Sequence, residues 1–142
     1  MSDLTISGIE WEPGALNPYR AFVEAVPSDN IAGALLVYQG KFDLRDVVAV
    51  AHIARANNLL GDRPAEALAE ARAAVALTPT SVRAHLGMGR ALVALGRNSE
   101  AEQEFHTALL LADKTGREWY PLQLPVIRQE LEKLRATTVT TP

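Results

Sequence analysis

Cysteine is absent, which excludes disulfides, thiol nucleophiles and thiolate metal sites. The lack leaves the compartment open, because a disulfide-free domain can sit on either side of a membrane. Aromatic residues make up only 6%, little for a sandwich or barrel core. There is no basic run, and 17 acidic against 14 basic residues give a net charge of −3. That pattern argues against nucleic acid as a partner. No long hydrophobic run is present either. The longest apolar stretch lies near Ile31 to Tyr38, far too short to span a bilayer. The opening residues, Met1 to Gly8, lack a basic region followed by an apolar core, so they do not read as a signal peptide. The protein therefore reads as soluble, either cytoplasmic or as the extracytoplasmic part of a membrane protein. Its first residues fit a boundary inside a longer polypeptide equally well.

Alanine and a period are what the sequence does have. Its 142 residues are 48% hydrophobic, enough for one modest domain with a packed core. Small residues let helices approach closely. Residues 67–79 return 34 positions later: Glu66-Ala67 as Glu100-Ala101, Ala71 as Phe105, Ala74 as Ala108 and Leu77 as Leu111. The stretch before them echoes at 35: Ile53 as Met88, Ala54 as Gly89 and Gly61 as Gly96. A period in this range marks stacked helical hairpins, each burying its apolar face against its neighbours.

Residues 1–42 differ from the rest, with Pro13, Pro18 and Pro27 and Gly8, Gly14, Gly33 and Gly40. Leu4–Ile9 and Ala34–Tyr38 read as strands, Gln39-Gly40-Lys41 as a turn, and Asn17–Val26 as a short helix. From Asp43 the pattern is helical. Asp43 is placed to cap the first helix, and Val47, Val50, Ala51, Ala54 and Asn58 share one face of it. Gly61 should end that helix, and Pro64 suits the first turn of the next, which stops at Pro79. Thr80 and Ser81 can cap a third helix ending at Gly96, and Asn98 or Ser99 a fourth ending before Gly116. Pro121 and Pro125 interrupt the residues after it. A last helix carries Val126, Ile127, Leu131 and Leu134 on one side. The tail from Thr137 to Pro142 reads as frayed.

These residues resemble the tetratricopeptide repeat (TPR) family, whose pattern runs W-x2-L-G-x2-Y, then A-x3-F, then P. One unit reads Val50-x2-Ile53-Ala54-x2-Asn57, then Ala67-x3-Ala71 and Pro79. The other reads His85-x2-Met88-Gly89-x2-Leu92, then Ala101-x3-Phe105. Val50 and His85 replace the expected tryptophan, and Asp113 stands where a second proline would. Trp119 and Leu122 fall 34 after His85 and Met88, so a third unit begins and is then broken. It reads as a terminal cap. Over about residues 47–135, the resemblance implies an all-α fold: an α–α superhelix of two TPR-like hairpins plus a C-terminal capping helix. The divisions are residues 1–42, an extended N-terminal segment with a small β pair; 43–135, the helical domain; and 136–142, a flexible tail.

The resemblance also implies a non-catalytic module that takes a protein or peptide in a concave groove lined by the first helix of each hairpin. Carried onto this sequence, the groove holds His52, Arg55, Asn58 and Leu59 in one unit and Arg83, Leu86, Arg90 and Val93 in the other. Arg55 and Arg90 occupy equivalent places, and two guanidinium groups can clamp a carboxylate, which suits an acidic peptide or the C-terminus of a partner polypeptide. Two arginines on a solvated face also serve solubility alone. The lysine and asparagine set of the family's carboxylate clamp is absent. The N-terminal segment is a second candidate to fill so short a groove.

Other constellations carry less chemistry. Glu66/Glu70 and Glu100/Glu104 are i, i+4 carboxylate pairs on the outer face of a second helix, where a solvated role is expected and acid–base work would need a pocket. His52, His85 and His106 fall on three helices, with His85 in a packing position and His106 pointing outward. No metal, cofactor or nucleophile constellation follows from these spacings. Gly87-Met88-Gly89 lies inside a helix pattern and is no phosphate loop. Trp11, Tyr19 and Phe22 suit either a sugar or peptide site or a staple of the N-terminal segment onto the helices. Residues 16–43, with Leu16-Asn17-Pro18-Tyr19 and Gly33 to Asp43, also loosely resemble the stretch behind the membrane portion of some bacterial dolichyl-phosphate-mannose-type glycosyltransferases. On that reading these residues begin a non-catalytic C-terminal domain of a larger enzyme. A third reading is self-association through an uncovered apolar edge; if both ends are capped, a monomer is expected.

Overall fold

A computed structural model describes residues 26–31, 35–37, 39–115 and 123–139. Strand β1 (Asp29–Ile31) and strand β2 (Leu35–Val37) pair antiparallel, with Asp29 opposite Val37 and Ile31 opposite Leu35. Of the strand expected at Ala34–Tyr38, the described residues 35–37 are strand, and their partner is Asp29–Ile31. The expected strand at 4–9 and the short helix at 17–26, apart from Val26, lie outside the described residues.

Five helices come next among the described residues: α1 (Arg45–Leu59), α2 (Pro64–Leu77), α3 (Val82–Ala94), α4 (Asn98–Thr115) and α5 (Gln123–Val139). The helices α1 and α2 form one hairpin and α3 and α4 the other, α3 stacks on α2, and α5 packs on α4. The fold is an α–α superhelix of two hairpins with a terminal helix.

Local chemistry sets most boundaries. Pro64 sits in the first turn of α2, where an amide hydrogen has no partner to lose. Ser81 caps α3, its Oγ accepting the Ala84 N–H at 3.3 Å. Gly96, at φ 71, ends α3 in a left-handed turn. The N–H of Arg97 donates to the Leu92 carbonyl and that of Gly96 to Val93, satisfying two orphan carbonyls.

The first helix behaves differently from expectation. Asp43 is not its N-cap: Leu44 holds that place, and the Asp43 carboxylate accepts instead from the Arg45 amide and guanidinium. Gly61 does not end it in a left-handed turn. Leu60 remains right-handed helical, and the Arg63 N–H closes back onto the Leu59 carbonyl. The extra residue in that turn removes the need for positive φ. Pro125 lies in the first turn of α5 and does not interrupt it. The helix also continues through Val139, beyond the tail boundary expected at 136. Trp119, Pro121 and Leu122 lie outside the described residues.

The core is built from alanine around one large ring. Ala49 and Ala56 of α1 are buried, as are Ala84 and Ala91 of α3, at the expected 35-residue offset. Ala67, Ala71 and Ala74 of α2 match Ala101, Phe105 and Ala108 of α4 at 34. Phe105 is the largest fully buried side chain, and its ring lies directly against Gly89 of α3. It therefore fills space within its own hairpin. Leu124, Ile127, Leu131 and Leu134 complete the core from α5. Val126 is only partly buried, and Leu124, one turn-face away, is the residue the sequence reading missed.

Candidate functional site

The predicted groove residues divide four ways. Leu86 is 8% exposed and belongs to the core, so it is not offered to a ligand. Val93 and Leu59 are partly buried against that core. Asn58 and Arg83 are exposed, with no hydrogen-bond or ionic partner among the described residues. His52, Arg55 and Arg90 are held by carboxylates.

The expectation for the four carboxylates is half corrected. Glu66 and Glu100 do face solvent, each paired with the arginine three residues earlier: Arg63 at 3.2 Å and Arg97 at 2.6 Å. Glu70 and Glu104 instead turn across their hairpins onto histidines of the first helices. A single-helix pattern cannot separate the two members of an i, i+4 pair; the facing helix does.

In the first hairpin, His52 Nδ1 lies 2.6 Å from Glu70 Oε2, and Arg55 Nε donates to the same oxygen at 3.0 Å. Arg55 Nη2 is also 3.0 Å from His52 Nδ1. One ring nitrogen cannot both donate to the carboxylate and accept from the guanidinium. The shorter carboxylate contact takes the hydrogen, and the imidazole and the guanidinium converge on Glu70. The His52 hydrogen bond, then Arg55, hold the Glu70 carboxyl below the usual glutamate range. A depressed value means stability present above the ordinary value of about 4.3 and lost as pH falls through the folded one. Glu70→Gln should therefore melt lower than the wild type at pH 7. Below about pH 4 the two melting temperatures should converge, as the wild-type carboxyl takes up its proton. A gap that persists undiminished at pH 3 would show that Glu70 acts through packing instead.

In the second hairpin, His85 Nδ1 lies 2.7 Å from Glu104 Oε2 and Nε2 lies 2.9 Å from the Pro79 carbonyl. A carbonyl can only accept, so Nε2 donates to Pro79, while Nδ1 faces the Glu104 carboxylate. The ring, 8% exposed, thus joins α3 to α4 and to the linker between hairpins. It stands where the repeat pattern has tryptophan and replaces bulk with two directed bonds. His52 does the matching job from a position that is 33 residues earlier, out of register with either offset, which is why periodicity missed it.

Arg90 Nε lies 3.7 Å from Glu130 Oε1 of α5. Arg55 and Arg90, equivalent in sequence, are thus neutralised by different partners, Glu70 and Glu130, and neither is an open guanidinium. His106 is exposed, 3.8 Å from Glu102. No group of three or more potential metal ligands occurs among the described residues. No described helix is long and apolar enough to cross a membrane.

Residues 59–123 match the tetratricopeptide repeat profile. The protein thus contains a tetratricopeptide-repeat segment, which spans α2 to α4 and leaves most of α1 outside. No curated protein matches the sequence significantly. The match begins after residues 16–43, so it lends nothing to the glycosyltransferase resemblance.

Proposed function

We propose that residues 43–135 form a non-catalytic module that binds a partner protein or peptide on the face shared by α1 and α3. Repeats of this type present extended concave surfaces to other proteins. The observation that carries the reading is the state of the predicted groove cations. Arg55 and Arg90 are paired with Glu70 and Glu130, while Arg83 on α3 and Asn58 on α1 are exposed with no such partner among the described residues. A carboxylate-bearing partner segment therefore meets one arginine and one amide, not a paired clamp. That favours a modestly acidic surface over tight capture of a single terminal carboxylate.

Arg83→Glu is the discriminating variant, because reversing Arg55 would also dismantle the Glu70 cluster. Pull-downs should compare the wild type, Arg83→Glu and Arg128→Glu, which makes the same charge change on an exposed position of α5. Partners retained by wild type and Arg128→Glu and lost at least tenfold by Arg83→Glu are expected. Equal capture by all three overturns the assignment of this face.

A further inference from the structure

The charged residues of α5 do not all face solvent. Leu124, Ile127, Leu131 and Leu134 form its buried face, while Arg128, Gln129, Glu132, Lys133 and Arg135 are exposed. Glu130 differs. It lies three residues after Ile127 and four before Leu134, at the edge of the buried face, and its side chain is 20% exposed. A carboxylate turned inward is costly unless cations meet it. Two do. Arg90 Nε of α3 lies 3.7 Å from Glu130 Oε1, and Lys133 Nζ lies 3.7 Å from Oε2.

Arg90 belongs to the predicted groove, seven residues after the exposed Arg83 and on the same face of α3. The last helix thus sends one acidic side chain onto a cation of the face assigned to the partner. The contact is loose. At 3.7 Å it is a charge pair without a hydrogen bond, whereas Arg55 donates to Glu70 at 3.0 Å. The Arg90 side chain also stays 36% exposed.

We propose that Glu130 is an internal acidic ligand of the groove, which an acidic peptide segment displaces from Arg90. This rests on the reading of the α1–α3 face given above and adds to it a second arginine held in reserve. The exchange leaves no carboxylate stranded, because Glu130 keeps Lys133 when Arg90 turns to the incoming group. The guanidinium gains in return the directed, charge-assisted hydrogen bonds that its present distance denies it. Arg83 and Arg90 then make two cationic points about 10 Å apart along α3. An extended peptide covers that span in about three residues. A run of Asp or Glu supplies carboxylates at that interval, and a basic or apolar segment supplies none.

The test measures binding of a fluorescein-labelled hexaglutamate peptide at low salt. It compares the wild type, Glu130→Gln and Glu132→Gln. The two variants carry the same net charge, so a general field effect moves both alike. Glu130→Gln should bind about two- to fivefold tighter than Glu132→Gln, the gain from releasing one exposed ion pair. That gain should vanish in Glu130→Gln/Arg90→Gln. Equal affinity of the two single variants, or no binding by either, overturns the proposal. A gain that survives the loss of Arg90 also overturns it, since the peptide would then be meeting an α5 that has come loose. Arg83→Gln tests the face separately. If it leaves hexaglutamate affinity unchanged in both backgrounds, the assignment of that face fails, and the comparison of Glu130 with Glu132 still decides the role of α5.

Discussion

Replacing Phe105 with alanine should lower the unfolding free energy by about 3–5 kcal/mol, the range for deleting a buried aromatic ring. The neighbourhood argues for the upper part of that range. Phe105 is fully buried, and the residues one and two turns away on its own face are Ala101, Ala108 and Ala112. Across the hairpin it meets Gly89. None of these has a side chain able to swing into the vacated space, so collapse would require the helices themselves to move. The first hairpin carries alanine at the equivalent place, Ala71, and buries it fully. Urea unfolding followed by circular dichroism measures the change. A loss under about 1 kcal/mol would mean that the hairpin closes around the gap, against the close packing argued here.

Gly89→Ala tests the same junction from the other side, and two effects compete. Alanine in a helix interior is favoured over glycine by about 1 kcal/mol. Against that, a Cβ at position 89 would sit 2.3 Å from Phe105 Cε1 and 2.6 Å from Cδ1. The obstacle is a rigid, fully buried ring, and overpacking of this kind costs about 1–3 kcal/mol or more. Net destabilisation of about 1–2 kcal/mol is expected once the propensity gain is subtracted. Gly87, two residues earlier in α3, has open space where its Cβ would go. Gly87→Ala should therefore stabilise by up to about 1 kcal/mol. The double variant Gly89→Ala/Phe105→Ala should lose less than the sum of the two single changes, because the ring that clashes is gone. Strict additivity would show that the two positions do not share their space.

The repeat architecture was legible because its signals are small residues at fixed intervals. Alanines 67, 74, 101 and 108 and the phenylalanine at 105 sit where the 34-residue period puts them, and the glycine at 89 where the offset of 35 does. The parts that stayed hidden are those where a residue's partner lies on another helix. Glu70 and Glu66 look alike along α2, and only the facing His52 and Arg55 separate them. Leu86 reads equally well as groove lining or stacking residue until α2 is placed behind it. Gly61 and Gly96 look like equal helix stops, yet only Gly96 takes positive φ, because the turn after α1 is one residue longer. Arg55 and Arg90 hold equivalent places in the repeat but find Glu70 of the same hairpin and Glu130 of α5, since Glu104, which matches Glu70, is held by His85.

The bond from His85 to the Pro79 carbonyl crosses from a helix to the strap between hairpins. Glu104 grips the other side of the same ring. Any bending that alters the angle between the two hairpins must stretch this clasp. One imidazole thus ties the linker to both helices of the second hairpin, and it adds a directed, polar constraint to the apolar packing of Val82 and Leu86 against Ala67 and Leu68.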